Sequence, residues 1–213
     1  MSQEVEEEER LQKFGLRIYK GVVTFKDANH QVDEIEEMET RDDDIWVCTF
    51  PRSGTTLTQE MVYLVQTLDF ETANTVHLDS RFPQAELHDE RFPYFKGLRD
   101  IEQRKSPRMI KSHLHYSLLP KQLKEGKGRI IYVCRNPKDV IISYFRWIEW
   151  VGFAGERDNT LDKCLNNIVN GTEYACPWPR HLLEYWERRN DKNVLFLRFE
   201  DIVAVIRFAF FII

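Results

Sequence analysis

Short apolar runs alternate with segments of helical spacing along most of this chain. Four runs predict buried strands, because each is short, apolar and bounded by polar or turn residues; they are Ile45–Phe50, Arg108–Lys111, Ile130–Cys134 and Val194–Phe199. Between them, apolar residues recur at helical spacing over Leu57–Leu68, Val140–Ile148 and His181–Arg189. Strands that alternate with helices predict a parallel sheet covered on both faces.

Local signals mark one helix start and two long connections. Asn136 and Pro137 are good residues for the N-cap and the first helical position of the second helix. The stretches Asp69–Lys105 and Gly152–Pro179 show no regular pattern, and we interpret both as irregular. Long connections of this kind commonly form lids and substrate walls in α/β domains.

The two ends of the chain differ in character. Residues 1–20 begin with an acidic run that lacks the apolar core of a signal peptide, so they predict a solvated tail. Residues 202–213 are apolar apart from Arg207, too short for the roughly 20 residues that span a bilayer. We interpret them as a core element whose partners are missing because the chain stops early. A membrane-associated tail is the alternative. Residues 21–201 then form one domain.

Composition narrows the function classes. The 213 residues carry a net charge of −5, which argues against a general nucleic-acid binder, so any phosphate binding must come from local groups. Four cysteines show no CxxC pair, and two of them lie in predicted buried strands. This usage favours a reducing compartment over a disulfide framework, and we expect a cytoplasmic protein.

The segment from Thr49 to Thr56, with sequence TFPRSGTT, joins a predicted strand to a predicted helix. Backbone amides at a helix start, together with the helix dipole, favour a bound anion. Arg52 adds a cationic fork, Gly54 permits a tight turn, and hydroxyl groups come from Ser53, Thr55 and Thr56. It is not a Walker A loop, which would carry a lysine before the final hydroxyl residue. The alternative interpretation is an ordinary capped helix start.

Two further segments follow strands of the same sheet, and ligands of such sheets bind beyond the carboxyl ends of the strands. Lys111 and His113 are two residues apart, so in an extended segment they share a face and combine positive charge with a proton acceptor. One alternative is that His113 is a structural histidine, and another is that it forms half of a metal site with His115. Arg135 and Ser143 follow the next strand and could hold separate oxygens of one phosphate; an arginine that caps the sheet edge is the alternative.

Together these segments resemble the cytosolic sulfotransferases, which use 3′-phosphoadenosine 5′-phosphosulfate (PAPS). TFPRSGTT is similar to the family's 5′-phosphosulfate loop, KSHL to the strand end with its catalytic histidine, and RNPKDVIISY to its 3′-phosphate segment. The resemblance runs from about Gly21 to Asp201. It implies a P-loop-like three-layer α/β fold with a central parallel sheet flanked by helices.

The resemblance also implies roles for individual residues. His113 would be the general base, Lys111 would lie beside the transferring sulfuryl group, and Arg52 would neutralise the departing phosphate oxygen where the family usually has lysine. The 5′-phosphosulfate would lie on Ser53, Gly54, Thr55 and Thr56. The 3′-phosphate would lie on Arg135 and Ser143, with Leu57 and Phe199 at positions near the adenine. PAPS is then the co-substrate and no metal is implied.

The same resemblance leaves alternatives open. The family continues beyond Asp201 with a loop over the nucleotide and a dimer motif, so the domain is expected to be incomplete at its C-terminus. A truncated, non-catalytic paralogue or splice product that binds nucleotide weakly or acts as an interaction protein is therefore one alternative. A small-molecule kinase is another. The expected partner is a small phenol, alcohol, steroid or amine, with neither nucleic acid nor a membrane.

Overall fold

The computed structural model describes residues 11, 15–25, 29–88, 93–150 and 160–212. Two sheets are formed in these ranges. The first is an antiparallel hairpin of β1 (Leu16–Tyr19) and β2 (Val22–Phe25). The second is parallel throughout, in the order β4-β3-β5-β6. Its strands are β3 (Ile45–Thr49), β4 (Met109–Ser112), β5 (Arg129–Cys134) and β6 (Val194–Arg198).

Helices connect the strands of the parallel sheet. They are α1 (Asn29–Glu37), α2 (Thr55–Thr67), α3 (Phe70–Thr75), α4 (Leu78–Arg81), α5 (Leu98–Gln103), α6 (Lys121–Lys124), α7 (Pro137–Trp150), α8 (Leu161–Val169), α9 (Trp178–Glu187) and α10 (Phe199–Ile212). A 3₁₀ turn covers Tyr116–Leu118.

All four predicted strands are confirmed, with ends that differ by one residue. The fourth strand ends at Arg198, and Phe199 is the first residue of α10 rather than the last of the strand. The acidic residues Glu200 and Asp201 lie in the first turn of α10, where the positive end of the helix dipole favours negative charge. The chain therefore changes from strand to helix at the residue that the apolar pattern assigns to the strand.

The three predicted helices are confirmed as α2, α7 and α9, and the side chain of Asn136 accepts a hydrogen bond from the Lys138 amide at the start of α7. The irregular interpretation of Gly152–Pro179 is wrong for α8. Thr160 caps α8 by accepting from the Lys163 amide at 3.3 Å. A cap followed by apolar residues at helical spacing was the signal available in the sequence. Residues 152–159 of that stretch lie outside the described residues.

Short helices also occur in Asp69–Lys105, which the sequence pattern left irregular. Helix α3 is capped by Asp69, whose carboxylate accepts from the Thr72 amide at 2.9 Å, and α4 and α5 follow it. Each of the three has at most six residues, so apolar periodicity had too little length to reveal them. Residues 89–92 of this stretch are not among those described.

At the ends, the structure adds detail to the expected boundaries, which stay predictions. β1 lies within the predicted tail of residues 1–20, and Leu16 is buried; residues 1–10 and 12–14 are outside the described ranges. The apolar end continues as α10, in which Ile202 is buried and Val205 is 69% exposed. Among the described helices, none combines the length and apolar character needed to cross a membrane.

The core lies mainly on one face of the parallel sheet. Side chains that alternate along β3 and β5, including Trp46, Cys48 and Tyr132, pack with Ile35 of α1 and Tyr185 of α9. A second cluster joins residues of the hairpin to α7 and α8, and α2 packs against β3 and β4. The predicted central parallel sheet flanked by helices is confirmed.

The four cysteines are free, and three of them, Cys48, Cys164 and Cys176, are buried. Burial raises the pKa of the Cys48 and Cys176 thiols to about 12. Thiols in such surroundings behave as small apolar side chains. Cys48 lies in β3, one of the strands that the sequence predicts to be buried.

A buried ion pair joins the amino ends of β3 and β4. Arg108 Nε donates to Asp44 Oδ1 at 2.7 Å, and the two side chains are 2% and 0% exposed. The pair also satisfies neighbouring backbone groups, because Arg108 Nη2 donates to the Glu39 carbonyl at 2.9 Å and Asp44 Oδ2 accepts from the Arg41 amide at 2.8 Å. The pair therefore holds the end of the sheet opposite to the candidate site.

We predict that Arg108→Met destabilises the fold strongly. Removing one partner of a buried pair leaves an uncompensated charge, which costs roughly 3–5 kcal/mol. Urea denaturation followed by circular dichroism measures the loss. Lys121→Met is the matched control, because Lys121 pairs with Glu37 and both side chains are mostly exposed; it should leave the urea midpoint unchanged. Equal midpoints for the two variants would contradict the structural role of the buried pair.

Candidate active site

Three segments leave the parallel sheet side by side at its carboxyl edge. Cys48 of β3 pairs with Ser112 of β4, and Thr49 pairs with Val133 of β5. The chain passes from β3 to β4 on one side and then returns to β5 on the other, so the edge at β3 is a topological switch point. Ligands of open α/β sheets bind at such points. The structure therefore brings together the three segments that the sequence singled out.

The loop between β3 and α2 has the geometry of an anion cradle. Gly54 is the N-cap of α2, with a φ of 108° that non-glycine residues rarely adopt. A Cβ at this position would lie 2.4 Å from Cδ2 of Phe199. The backbone amides in the first turn of a helix have no partner within the helix, and they are available to an anion.

The other predicted residues of this loop occupy different environments. Ser53 and Thr55 are buried. Thr55 Oγ1 lies 2.6 Å from Thr49 Oγ1, and the hydroxyl of Thr55 is therefore already hydrogen-bonded. Thr56 is exposed and Leu57 is half-buried. The loop thus offers an exposed hydroxyl at Thr56. The Ser53 backbone is fixed, because its amide donates to the Phe50 carbonyl at 3.2 Å.

Two arginines meet beside the loop. Arg52 Nε donates to Ser143 Oγ at 3.1 Å, and Arg135 Nη1 donates to the Arg52 carbonyl at 3.1 Å. The Arg135 guanidinium also lies 4.5 Å from the ring centre of Phe199. These contacts join the predicted 5′-phosphosulfate loop to the predicted 3′-phosphate segment. The ring of Phe199 lies against Arg135 on one side and close to Gly54 of the loop on the other.

The charges of these two arginines lack a counterion in the described part of the chain. Neither has a carboxylate partner there, and Arg135 Nε is buried without a hydrogen-bond acceptor. Arg52 is exposed as a residue, yet partial burial of its guanidinium, and then the nearby Arg135 charge, lower its pKa. Adjacent cations of this kind repel each other, and a bound dianion would offset the repulsion.

His113 is oriented by the end of β3. Its Nδ1 lies 2.8 Å from the Thr49 carbonyl oxygen. A carbonyl only accepts, so Nδ1 must carry the proton and Nε2 is the basic nitrogen of the neutral ring. Burial lowers the pKa of His113 to about 4, and the Glu86 carboxylate opposes that shift. The ring is therefore neutral at physiological pH and able to accept a proton.

Lys111 lies near His113, as predicted, but its ammonium group is not free. Lys111 Nζ donates to Asp79 Oδ1 at 2.9 Å, and both side chains are mostly buried. The Lys111 charge is close enough to lower the pKa of His113. Asp79 lies in α4, and no local pattern in the sequence predicts its contact with Lys111, since the two residues are 32 positions apart.

Glu86 is a second residue that the sequence analysis missed. Its Oε1 accepts from the backbone amide of His113 at 2.7 Å and from Tyr174 Oη at 3.0 Å. The segment reaches the site because it runs beside β4, where the Lys111 amide donates to the Pro83 carbonyl and Ala85 donates to the Lys111 carbonyl. A charged residue flanked by apolar ones was the only available signal.

His115 does not complete a metal site with His113. Its ring is buried, and its Nε2 lies 3.0 Å from the Ala175 carbonyl. Among the described residues, no three metal-ligating side chains come together. The expectation that no metal takes part stays a prediction.

Comparison with known proteins connects this geometry to one family. The sequence model of the sulfotransferase domain matches residues 42–207 of the chain. Sulfotransferase 4A1 of Homo sapiens is 38% identical over 172 residues, which are 80% of this chain and 58% of the human protein. The amine sulfotransferase of Oryctolagus cuniculus is 35% identical over 201 residues, covering 88% of this chain and 63% of that protein. The chain thus spans about three fifths of the length of these relatives.

The fold is also that of solved sulfotransferase-like structures. A crystal structure of retinol dehydratase in complex with retinol and PAP superposes with a TM-score of 0.79. The match covers 96% of this chain and 70% of that one at 22% identity. The predicted P-loop-like α/β fold is confirmed by this likeness.

We predict that Gly54→Ala destabilises the protein more than Gly126→Ala. Both glycines have similar positive φ values, 108° and 103°, so each substitution should cost roughly 1–3 kcal/mol of backbone strain. Only at Gly54 does the new methyl group meet a side chain, the ring of Phe199; at Gly126 it meets open space. The clash should add roughly another 1–3 kcal/mol.

Chemical denaturation of the two variants and the parent protein checks this difference. Equal losses of stability would show that the ring of Phe199 moves aside without cost, and that the loop is not packed as described.

Proposed function

Because this chain belongs to the sulfotransferase family, we propose that it transfers the sulfuryl group of PAPS to a hydroxyl or amine of a small acceptor. One observation carries the proposal: the Thr49 carbonyl, where β3 ends and the anion loop begins, lies 2.8 Å from His113 Nδ1. That contact holds a neutral base next to an anion cradle, which is the pairing that sulfuryl transfer needs.

The residues present fit a nucleotide with two separate phosphate groups. The amides of the Gly54 turn and the hydroxyl of Thr56 would receive the 5′-phosphosulfate. Arg135 and Ser143 would hold the 3′-phosphate, and the buried Arg135 Nε, which has no acceptor, supports an anion at that point. Leu57 and Phe199 would lie near the adenine.

In the proposed reaction, His113 Nε2 takes the proton from the acceptor as its oxygen or nitrogen attacks sulfur. The new bond to sulfur forms as the bond from sulfur to the phosphate oxygen breaks, and the electron pair leaves with the phosphate. Positive side chains stabilise the charge on that leaving oxygen. Arg52 and Lys111 would supply these charges, which is the role that metal ions take in phosphoryl transfer.

Two features bear on how fast this step is. Lys111 must exchange Asp79 for the sulfuryl oxygens, since its ammonium group is already paired. Arg52 is a planar fork bonded to Ser143, whereas a lysine would donate from a single point. These contacts favour a second candidate function, a nucleotide-binding protein without transfer. Saturable binding of adenosine 3′,5′-bisphosphate with no turnover of PAPS would identify it.

The acceptor is proposed by class only. The names of two relatives and neighbours refer to amines and retinol, and the surroundings of His113 combine the aromatic ring of Tyr174 with polar groups. A phenol, alcohol, steroid or amine fits this mixture. We propose that the reaction takes place in the cytoplasm and involves neither nucleic acid nor a membrane surface.

We predict that His113→Ala abolishes transfer but preserves nucleotide binding. Loss of a general base lowers rates by roughly 10²–10⁴, while the ring makes no predicted contact with the nucleotide. Labelled sulfate transfer from PAPS to phenols, steroids and amines measures the first effect, and thermal shift with adenosine 3′,5′-bisphosphate measures the second. His88→Ala is the control, because His88 is exposed and lies opposite Lys96 in a short antiparallel bridge. Wild-type rates in His113→Ala would overturn the mechanism.

The pH dependence should also be unusual for a histidine base. With a pKa of about 4, His113 remains neutral as the pH falls from 8 to 6, so the rate should stay flat there. An ordinary histidine would lose half of its basic form near pH 6.5. Because the folded pKa lies below the unfolded one, His113 also destabilises the native state as the pH falls from about 6.5 towards 4. A rate that halves near pH 6.5 would contradict the lowered pKa of His113.

We predict that Arg52→Lys raises the transfer rate several-fold and changes the affinity for adenosine 3′,5′-bisphosphate by less than about threefold. The lysine restores a point charge at the leaving oxygen, while Arg135 still holds the 3′-phosphate. Single-turnover assays and calorimetry separate the two effects. Arg198→Lys, on the exposed end of β6, is the matched control. A large loss of affinity without a gain in rate would show that Arg52 serves mainly in binding.

A further inference from the structure

We propose that Glu86 is a positioning residue for His113, fixing the backbone of the base and stabilising the imidazolium ion that forms during transfer. The inference rests on the proposed function of His113 and adds a residue that no family resemblance assigned. It follows from the contacts of Glu86, which is 2% exposed although it carries a carboxylate.

Three donors converge on a single oxygen of this carboxylate. Glu86 Oε1 accepts from the His113 amide at 2.7 Å, from Tyr174 Oη at 3.0 Å and from Gln84 Nε2 at 2.8 Å. Bonds to an ionised acceptor are stronger than neutral ones, so the carboxylate holds the His113 backbone firmly where the strand has ended. The other end of the same residue is fixed by the Thr49 carbonyl at Nδ1.

The second oxygen makes a purely structural role insufficient. Glu86 Oε2 is buried and has no hydrogen-bond partner among the described residues. A glutamine would still offer one oxygen to the three donors, with weaker bonds, and would avoid a buried charge, whose desolvation is costly. A carboxylate at this position is therefore explained by a positive charge that appears nearby, and protonated His113 is such a charge.

The electrostatic surroundings of His113 agree with this assignment. The charged and titratable groups that face it are Glu86, Lys111, Asp79, Tyr174 and His181. Of these, Glu86 has the largest effect that raises the pKa of the ring, whereas burial and Lys111 lower it. Asp79 raises the pKa of the ring less than Glu86 does, and its carboxylate is paired with Lys111. Glu86 is thus the main carboxylate that favours the protonated ring.

The test compares Glu86→Gln with Glu173→Gln. Both glutamates are 2% exposed, and Glu173 accepts from Asn167 of α8 at 3.0 Å. Glutamine at position 86 keeps an oxygen for the three donors and removes only the charge. We expect kcat to fall roughly tenfold, equivalent to one pKa unit of lost stabilisation, with KM for PAPS unchanged. Glu173→Gln should leave kcat as it is.

A second measurement does not need turnover. Proton NMR of the His113 ring, recorded in both variants from about pH 7 down to about pH 5, follows its partial protonation. The ring should protonate less in Glu86→Gln than in the parent protein and equally in Glu173→Gln. If no acceptor is ever sulfated, the proposed function fails while this result still stands. Unchanged protonation in Glu86→Gln, or equal losses of kcat in the two variants, would overturn the role of Glu86.

Discussion

The parallel pairing of β3 with both of its neighbours is the constraint on which the site depends. A parallel sheet places the carboxyl ends of its strands on one edge, so three loops distant in sequence must leave it together. The register Cys48↔Ser112 and Thr49↔Val133 then sets which residues meet. Thr49 connects two parts of the site, because its carbonyl orients His113 and the chain continues from it directly into the anion loop. The backbone pairing of the strands therefore sets the position of His113 relative to the loop.

Burial sets the pKa of His113 at this edge of the sheet. His113 is half-buried, and the loss of hydration holds the pKa of the ring down at about 4. Partial burial also strengthens the effect of nearby charges. Glu86 and Lys111 therefore shift the pKa of the ring in opposite directions, and the ring stays neutral at physiological pH. An exposed histidine with the same neighbours would not feel them to this extent.

The sequence predicted the sheet and the three site segments because both leave local signals. Apolar runs marked the strands, and the Gly54 loop and Asn136–Pro137 marked helix starts. Asp79 left no local signal, and Glu86 left only a charge between two apolar residues. Both reach the site through pairing between segments that lie 27 to 32 residues apart. Helix α8 was missed although Thr160 capped it, since the preceding stretch had no pattern. Local conformation could therefore be predicted from the sequence, whereas contacts between segments distant in the chain could not.

The paired cations explain how such a site remains stable before it binds anything. Lys111 rests on Asp79, and Arg52 rests on the hydroxyl of Ser143. Arg135 is satisfied only in part, by a carbonyl and an aromatic face. The partners of the two arginines are neutral, so a multiply charged anion would compete with them favourably. Only the difference between the free and bound contacts contributes to binding. In the proposed transfer, contacts that strengthen as charge moves to the leaving oxygen would contribute to the rate. Lys111 would have to leave the Asp79 carboxylate before it could make such a contact, so this ion pair opposes part of the gain.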